Sequence, residues 1–427
     1  MRPQVRLAID TDLPPTGAFG EVGVAAIDTL TIDVLSRVGD VTESRVFVLA
    51  DARDWPLSLG VTGGARLRLR LTGARLPRPE VTVDRLVDVR APGDGVARLR
   101  VTLTGDCFGR VADLAAGTTC VSRELPAVAP SLGVVADDGS PSRAGTWPHA
   151  NATPCAGPED PARPCVPGSF DVLGDPALAS SPTRREAPLP LRPVVVGPFR
   201  MDRTEFTVGR FRAMLAGGLT PTARPPSVVD PDRFALRFCT YKGPSDPSAD
   251  DLPLNCVSIE LARELCAASG GRLPTEAEWE HAARGRDGRP FPWGDVAPAC
   301  CTTSASRSPT LDISAECTRS LVEPAGSHVA GPDECPGGGD VSRDGVVDLG
   351  GSLSELTSDA FTPVAECYPS GLAFDPVCDV AGATLFVRKG TDWTAGLART
   401  RSAERKGASG VEVSTNGFRC VYPEAPR

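Results

Sequence analysis

Histidine, lysine and long apolar runs are scarce in this chain, and each shortage excludes something. Only three His occur in 427 residues (His149, His281 and His328). They are far apart in sequence, so a multi-histidine metal centre would need all three to converge. No apolar run approaches the roughly 18–20 residues of a transmembrane helix. No two cysteines are spaced CxxC, which argues against a zinc ribbon. Only three of the 45 basic residues are Lys. With so much Ala, Gly and Pro, that Arg bias reads as composition, not as phosphate binding. The formal net charge is −9, so general nucleic-acid binding is not expected. The opening MRPQVRLAID lacks the apolar core of a signal peptide.

What is present suggests a loop-rich, multidomain protein. Hydrophobic residues make up 41% of the chain, enough to bury a core. Its length suits two or three domains. The 44 Gly and 42 Pro favour turns over long helices. The 14 Cys are even in number, and some fall at loop-closing spacings: Cys107 with Cys120, Cys155 with Cys165, and Cys367 with Cys378. Such a set fits an oxidising compartment. The protein is therefore expected to be exported, to periplasm or cell surface, with its export signal upstream of this start; the alternative is a cytosolic chain with free thiols.

Residues 1–129 read as all-β. Alternating runs such as LRLRL (67–71) place Leu on one side and Arg on the other, the pattern of a half-buried strand. Six or seven such strands suggest an immunoglobulin-like sandwich. Residues 130–190 are rich in Pro, Ala, Ser and Gly and read as a linker. Residues 191–425 read as a second domain. In it Thr207 can cap a helix whose apolar face holds Phe211, Met214 and Leu215. Ser258 fits the start of a second helix, over 258–269, that stops at Gly270-Gly271. Thr275 and Glu278 form a capping box for a third.

The motifs of this second domain resemble the formylglycine-generating enzyme, or sulfatase-modifying factor, family. RLPTEAEWEHAARG followed by PFPWGD (272–295) carries most of the likeness. MDRTEFTVGRFRAML (201–215), PLNCVSIELARELC (253–266), DGVVDLGGSLSELTSD (344–359) and NGFRC (416–420) follow the family order. The resemblance implies a loop-rich α+β fold related to C-type lectins. It also implies a disulfide between Cys266 and Cys420. It does not extend to residues 1–190.

Active members of that family hold copper(I) between two closely spaced cysteines shortly before GFRC, since soft thiolates suit this ion. Here the matching segment, RKGTDWTAGLARTRSAERKG (388–407), contains no cysteine. Leu397 falls near the place of one catalytic thiol, and Ser402 where a structural cysteine can occur. Copper is therefore not expected, and no catalytic residue is assigned. The resemblance also implies a structural calcium at the GNVWEW turn, which here reads GSLSEL. Glu355 is retained and Ser352 replaces the Asn. With Asp344 and Asp348 they make a weak candidate set, because calcium takes six to eight oxygens. Iron-dependent relatives need a histidine cluster in a helical domain, and this chain has neither.

The expectation is thus a non-catalytic, exported binding or recognition protein, a pseudoenzyme on the family scaffold. Its partner would be a protein, peptide or glycan, with Trp393, Arg399 and Arg401 as candidate ligand-binding residues. The alternative is a formylglycine-generating oxidoreductase that acts on a cysteine of a sulfatase-type substrate through other thiols.

Overall fold

The computed structural model describes residues 4–15, 26–36, 38–62, 67–75, 78–89, 96–122, 141–179, 186–233, 236–308, 317, 320–368, 371–409 and 413–424. The chain divides into two compact units. The first comprises residues 1–152 with 191–195 and 369–373. The second comprises 153–190, 196–368 and 374–427.

The two main sheets of the first unit use the strands β1 (Gln4–Thr11), β2 (Thr29–Leu35), β3 (Val41–Val48), β4 (Leu57–Thr62), β5 (Leu67–Arg75), β6 (Arg78–Val89) and β7 (Val96–Leu103). They form a three-stranded sheet in the order β4-β1-β7 and a four-stranded sheet in the order β3-β2-β5-β6. β1 runs antiparallel to β4 and parallel to β7. The alternation read in β5 holds: Leu69 and Leu71 are buried. The Arg face is less solvated than a bare strand face. Arg68 pairs with Asp88 at 2.9 Å and Arg70 with Asp84 at 2.6 Å, across the β5–β6 ladder. Opposite charges facing across a ladder stabilise the pairing. Cys107–Cys120 closes the loop after β7.

Part of the span expected to be linker, 130–190, is built into the two units. Trp147 is buried in the first unit, and its indole donates to Asp106 at 3.0 Å. Residues 153–190 belong to the second unit and contain β8 (Cys165–Val166) and the fully buried β9 (Ser169–Leu173). Composition suggested a spacer. A few large apolar side chains, Trp147 and Phe170 among them, instead anchor the segment. Residues 123–140 lie outside the described residues.

The remaining strands are β10 (Arg192–Val196), β11 (Phe199–Met201), β12 (Ser354–Ala360), β13 (Ala373–Phe374), β14 (Phe386–Lys389), β15 (Arg405–Ala408), β16 (Asn416–Gly417) and β17 (Val421–Pro423). In the second unit, β11 is flanked by β8 and β17. A four-stranded sheet runs β15-β14-β12-β16. Three helices of nine or ten residues accompany them: α1 (Val208–Ala216), α2 (Ile259–Ala268) and α3 (Glu276–Arg284). Their starts follow from sequence. The side chains of Thr207, Ser258 and Thr275 each accept a backbone N–H of the first turn, and Glu278 completes a capping box. α1 and α2 share one apolar core that includes Phe206, Phe211, Leu261, Leu265, Leu356 and Phe418.

All nine residues of α3 are buried. His281 is enclosed with the rest. Its Nδ1 lies 3.1 Å from Asp171 of β9, and its Nε2 lies 3.0 Å from the Pro167 carbonyl. The strand that covers it comes from the span taken for linker. The three helix carboxylates are likewise committed to cations: Glu276 to Arg405, Glu278 to Arg272 and Glu280 to Lys389.

Candidate functional site

The site is built where β12, β14 and the GFRC segment meet α3. β12 carries Glu355 into the interior, and GFRC supplies Arg419. The two form a fully buried bidentate pair, with Nη2 2.6 Å from Oε1 and Nε 2.8 Å from Oε2. The Trp279 indole of α3 donates to Oε2 at 2.7 Å. The other guanidinium N–H groups donate to the carbonyls of Asp202, Arg203, Val347 and Asp348. Burial pulls the Arg419 guanidinium down, but the charge and hydrogen bonds of Glu355 outweigh it and hold it above the ordinary range. A buried ion survives on this condition, that its donors and acceptors are met.

Three further buried acids surround this pair: Glu205, Asp340 and Asp348. Burial, then the charges of Asp348 and Glu355, push Glu205 well above the usual carboxylate range. Burial and the Asp348 charge raise Asp340 to about 7. Asp340 accepts from the Gly350 N–H at 2.8 Å and the Thr303 hydroxyl at 3.2 Å. Glu205 accepts from the Leu353 N–H at 3.2 Å. Among the described residues Asp340 Oδ1 has no hydrogen-bond partner, while Glu205 interacts with the Ser352 and Asp348 side chains. Glu205 did not stand out in the sequence as a member of this cluster. The E of the RTEFT stretch was the available signal for Glu205.

The expected calcium set does not assemble. Both oxygens of Glu355 are taken by Arg419 and Trp279. Asp344 lies 3.4 Å from Arg286, and Asp348 accepts from the Gly326 N–H at 2.5 Å. Ser352 sits in the left-handed region with φ 68°, which Asn tolerates better than Ser. Among the described residues, no group of three or more His, Cys, Asp or Glu is placed to hold a metal ion. These donors do not fit a calcium ion as arranged.

The segment 388–407 spans β14, a loop and β15. Arg388 lies directly across the β14–β15 ladder from Lys406, and Lys389 across from Arg405. Lys389 points to α3 and meets Glu280 at 2.9 Å with both side chains fully buried. At Gly390, φ is 73°, and a Cβ would lie 3.1 Å from the Trp279 ring, so only Gly lets this turn approach α3. The ligand-binding candidates separate. Trp393 is 1% exposed; its indole donates to the Ser414 carbonyl at 3.3 Å and its ring packs edge-on against Phe238. It is a packing residue, not a surface aromatic. Arg399 is half exposed and pairs with Glu404 at 2.6 Å, and Arg401 pairs with Asp175 at 2.5 Å.

All 14 cysteines are paired in seven disulfides and none is free. The structure joins Cys107–Cys120, Cys155–Cys165, Cys367–Cys378 and Cys266–Cys420. It adds Cys239–Cys256, Cys300–Cys317 and Cys301–Cys335, which the sequence left open. Copper(I) requires thiolates in a site of this family's kind, and the residues present do not fit it.

The family model for the sulfatase-modifying factor enzyme 1-like domain matches residues 161–423, more than half of the chain. The formylglycine-generating enzyme of Streptomyces coelicolor is 29% identical over 290 residues, covering 60% of this chain and 87% of that protein. The hercynine oxygenase of Mycolicibacterium thermoresistibile is 29% identical over 207 residues, 44% of this chain and 41% of that protein. An inactive C-alpha-formylglycine-generating enzyme 2 of Mus musculus is 30% identical over 164 residues, 32% of this chain and 52% of that protein. The matches therefore span about half or less of the length of the latter two relatives.

Proposed function

The chain belongs to the sulfatase-modifying factor enzyme 1-like family, and from that premise we propose that it is a non-catalytic member whose scaffold binds a partner. The observation that carries this reading is the absence of cysteine from residues 388–407, together with the pairing of every other thiol. A bis-thiolate copper(I) site has no ligands left. A relative named as inactive is 30% identical over part of the same domain, which supports the reading.

On this reading the second unit is a C-type-lectin-like module displaying altered loops. On the same reading the first unit, with sheets of three and four strands, is an immunoglobulin-like sandwich. Seven disulfides support export to an oxidising compartment. No helix among the described residues is long and apolar enough to cross a membrane. The partner is a protein, peptide or glycan, and Arg399 and Arg401, both partly exposed, stand on the loop that replaces the copper ligands.

The second reading, a formylglycine-generating oxidase, is favoured by the 87% coverage of the Streptomyces coelicolor enzyme. One experiment separates the two. A cysteine-containing sulfatase-type peptide is incubated with the folded protein, copper(I) and oxygen, and its mass is followed. No aldehyde product is expected while an active relative converts the peptide in parallel. Copper-dependent product would overturn the non-catalytic reading.

A further inference from the structure

We propose that Arg388 and Lys406 form a binding site for an oxyanion group of a ligand, on the β14–β15 face opposite the buried Lys389–Glu280 pair. The two cations stand directly across the ladder from each other. Side chains so placed lie with Cβ atoms about 5 Å apart, and like charges there destabilise the sheet. Both are also largely withdrawn from water: the side chains are 20% and 9% exposed. Burial lowers both groups below their ordinary ranges, and the neighbouring positive charge of Arg399 adds to the effect.

The nearby acids do not fully answer this charge. Asp392 is 3.8 Å from Arg388, and Glu404 is 3.7 Å from Lys406. These are ion-pair separations, not hydrogen bonds. Both carboxylates have closer partners. Glu404 Oε1 accepts from Arg399 Nε at 2.7 Å and lies 2.6 Å from its Nη2. Asp392 Oδ1 accepts from the N–H and the hydroxyl of Thr394. Glu186 acts on Arg388 only through its charge. Arg388 donates from Nη1 to Asn416 Oδ1 at 2.7 Å, while its buried Nε has no acceptor among the described residues. An incoming oxyanion would accept from the Arg388 guanidinium and from the Lys406 ammonium, and would offset the like-charge repulsion. Both side chains keep some exposure, so a ligand group can reach them.

The site deepens the binding reading by naming the chemistry of its ligand. Its test is separate from that of catalysis: anion binding and formylglycine formation can each succeed or fail without the other. The chain has only three lysines, so the ammonium signals of a uniformly labelled sample reduce to three, read through their Cε–Hε protons. The full-length protein is titrated with sodium sulfate and, separately, sodium acetate, at ionic strength held constant with chloride. The expected result is a saturable shift at Lys406, with Lys242, which bonds the Ser248 hydroxyl, as the surface control. The stronger arm distinguishes a tetrahedral from a planar oxyanion. Lys406→Met and Arg388→Gln should each weaken sulfate binding about tenfold, the worth of one hydrogen bond to a charged group. If either variant fails to fold, the wild-type titration decides alone. A Lys406 signal that stays still, or drifts without saturation as Lys242 does, overturns the proposal. So does an unchanged sulfate affinity in a folded Lys406→Met protein.

Discussion

Arg419 and Glu355 lie side by side with oxygen–nitrogen contacts of 2.6, 2.8 and 2.9 Å, both side chains wholly out of water. The pair joins the GFRC segment to β12, and the Trp279 indole ties α3 to the same carboxylate. Three parts of the second unit thus depend on one charged contact.

Removing one partner should be far more damaging than removing both. Arg419→Met leaves a buried, uncompensated carboxylate and should cost about 3–5 kcal/mol. Arg419→Met with Glu355→Leu should cost clearly less than the sum of the single changes, because no lone charge remains. Denaturant unfolding of the three variants measures this. Strict additivity would show that the two residues do not act as a pair.

Cys266–Cys420 joins α2 to the strand end that precedes β17, across 154 residues of sequence. Replacing both cysteines by Ala should lower stability by about 2–5 kcal/mol, the usual range for a native disulfide. Thermal unfolding without reductant tests it. A melting temperature equal to that of the parent would mean the bond adds nothing.

Buried acids give the stability a definite pH dependence. Asp340 has its pKa raised to about 7 and Asp359 to about 6, in both cases chiefly by burial. A carboxyl whose folded pKa lies above its unfolded value holds its proton longer in the native state. Its contribution therefore favours the fold below the unfolded pKa, near 3.8, and is lost as pH rises toward 7. Asp340→Asn should remove that part of the slope, and the variant should gain on the parent between about pH 4 and pH 7. Unfolding curves across this range read the effect. Parallel profiles for parent and variant would exclude it.

The thiol inventory is directly countable. Denatured but unreduced protein should show no reactive thiol, and full reduction should release all 14. A colorimetric thiol assay suffices. Two free thiols in the native protein would reopen the copper question.

Much of the second unit was readable because its signals are local. Capping residues, the apolar faces of α1 and α2, and the run from Arg272 to Asp295 sit within a turn or two of what they determine. The missing copper thiols were legible for the same reason, since the segment simply lacks cysteine. Long-range pairing was not legible. Nothing near His281 says that Asp171, 110 residues away, would bury it. Trp393 reads as an exposed aromatic until Phe238 and Ser414 close over it. The calcium set is a related case: a carboxylate-rich turn shows its oxygens, but not that Arg419 and Trp279 already take those of Glu355. The sequence does hold one quiet hint, because two of its three lysines, Lys389 and Lys406, fall on neighbouring strands of one sheet.

The Cys266–Cys420 bond makes a covalent ring of the intervening chain, and Cys300–Cys317, Cys301–Cys335 and Cys367–Cys378 lie as smaller rings within it. A protease that cuts one exposed loop between residues 267 and 419 therefore separates nothing. The nicked molecule keeps its full mass until a reductant is added. In a protease-rich surrounding, a single break in this stretch leaves both ends tethered to the same folded unit.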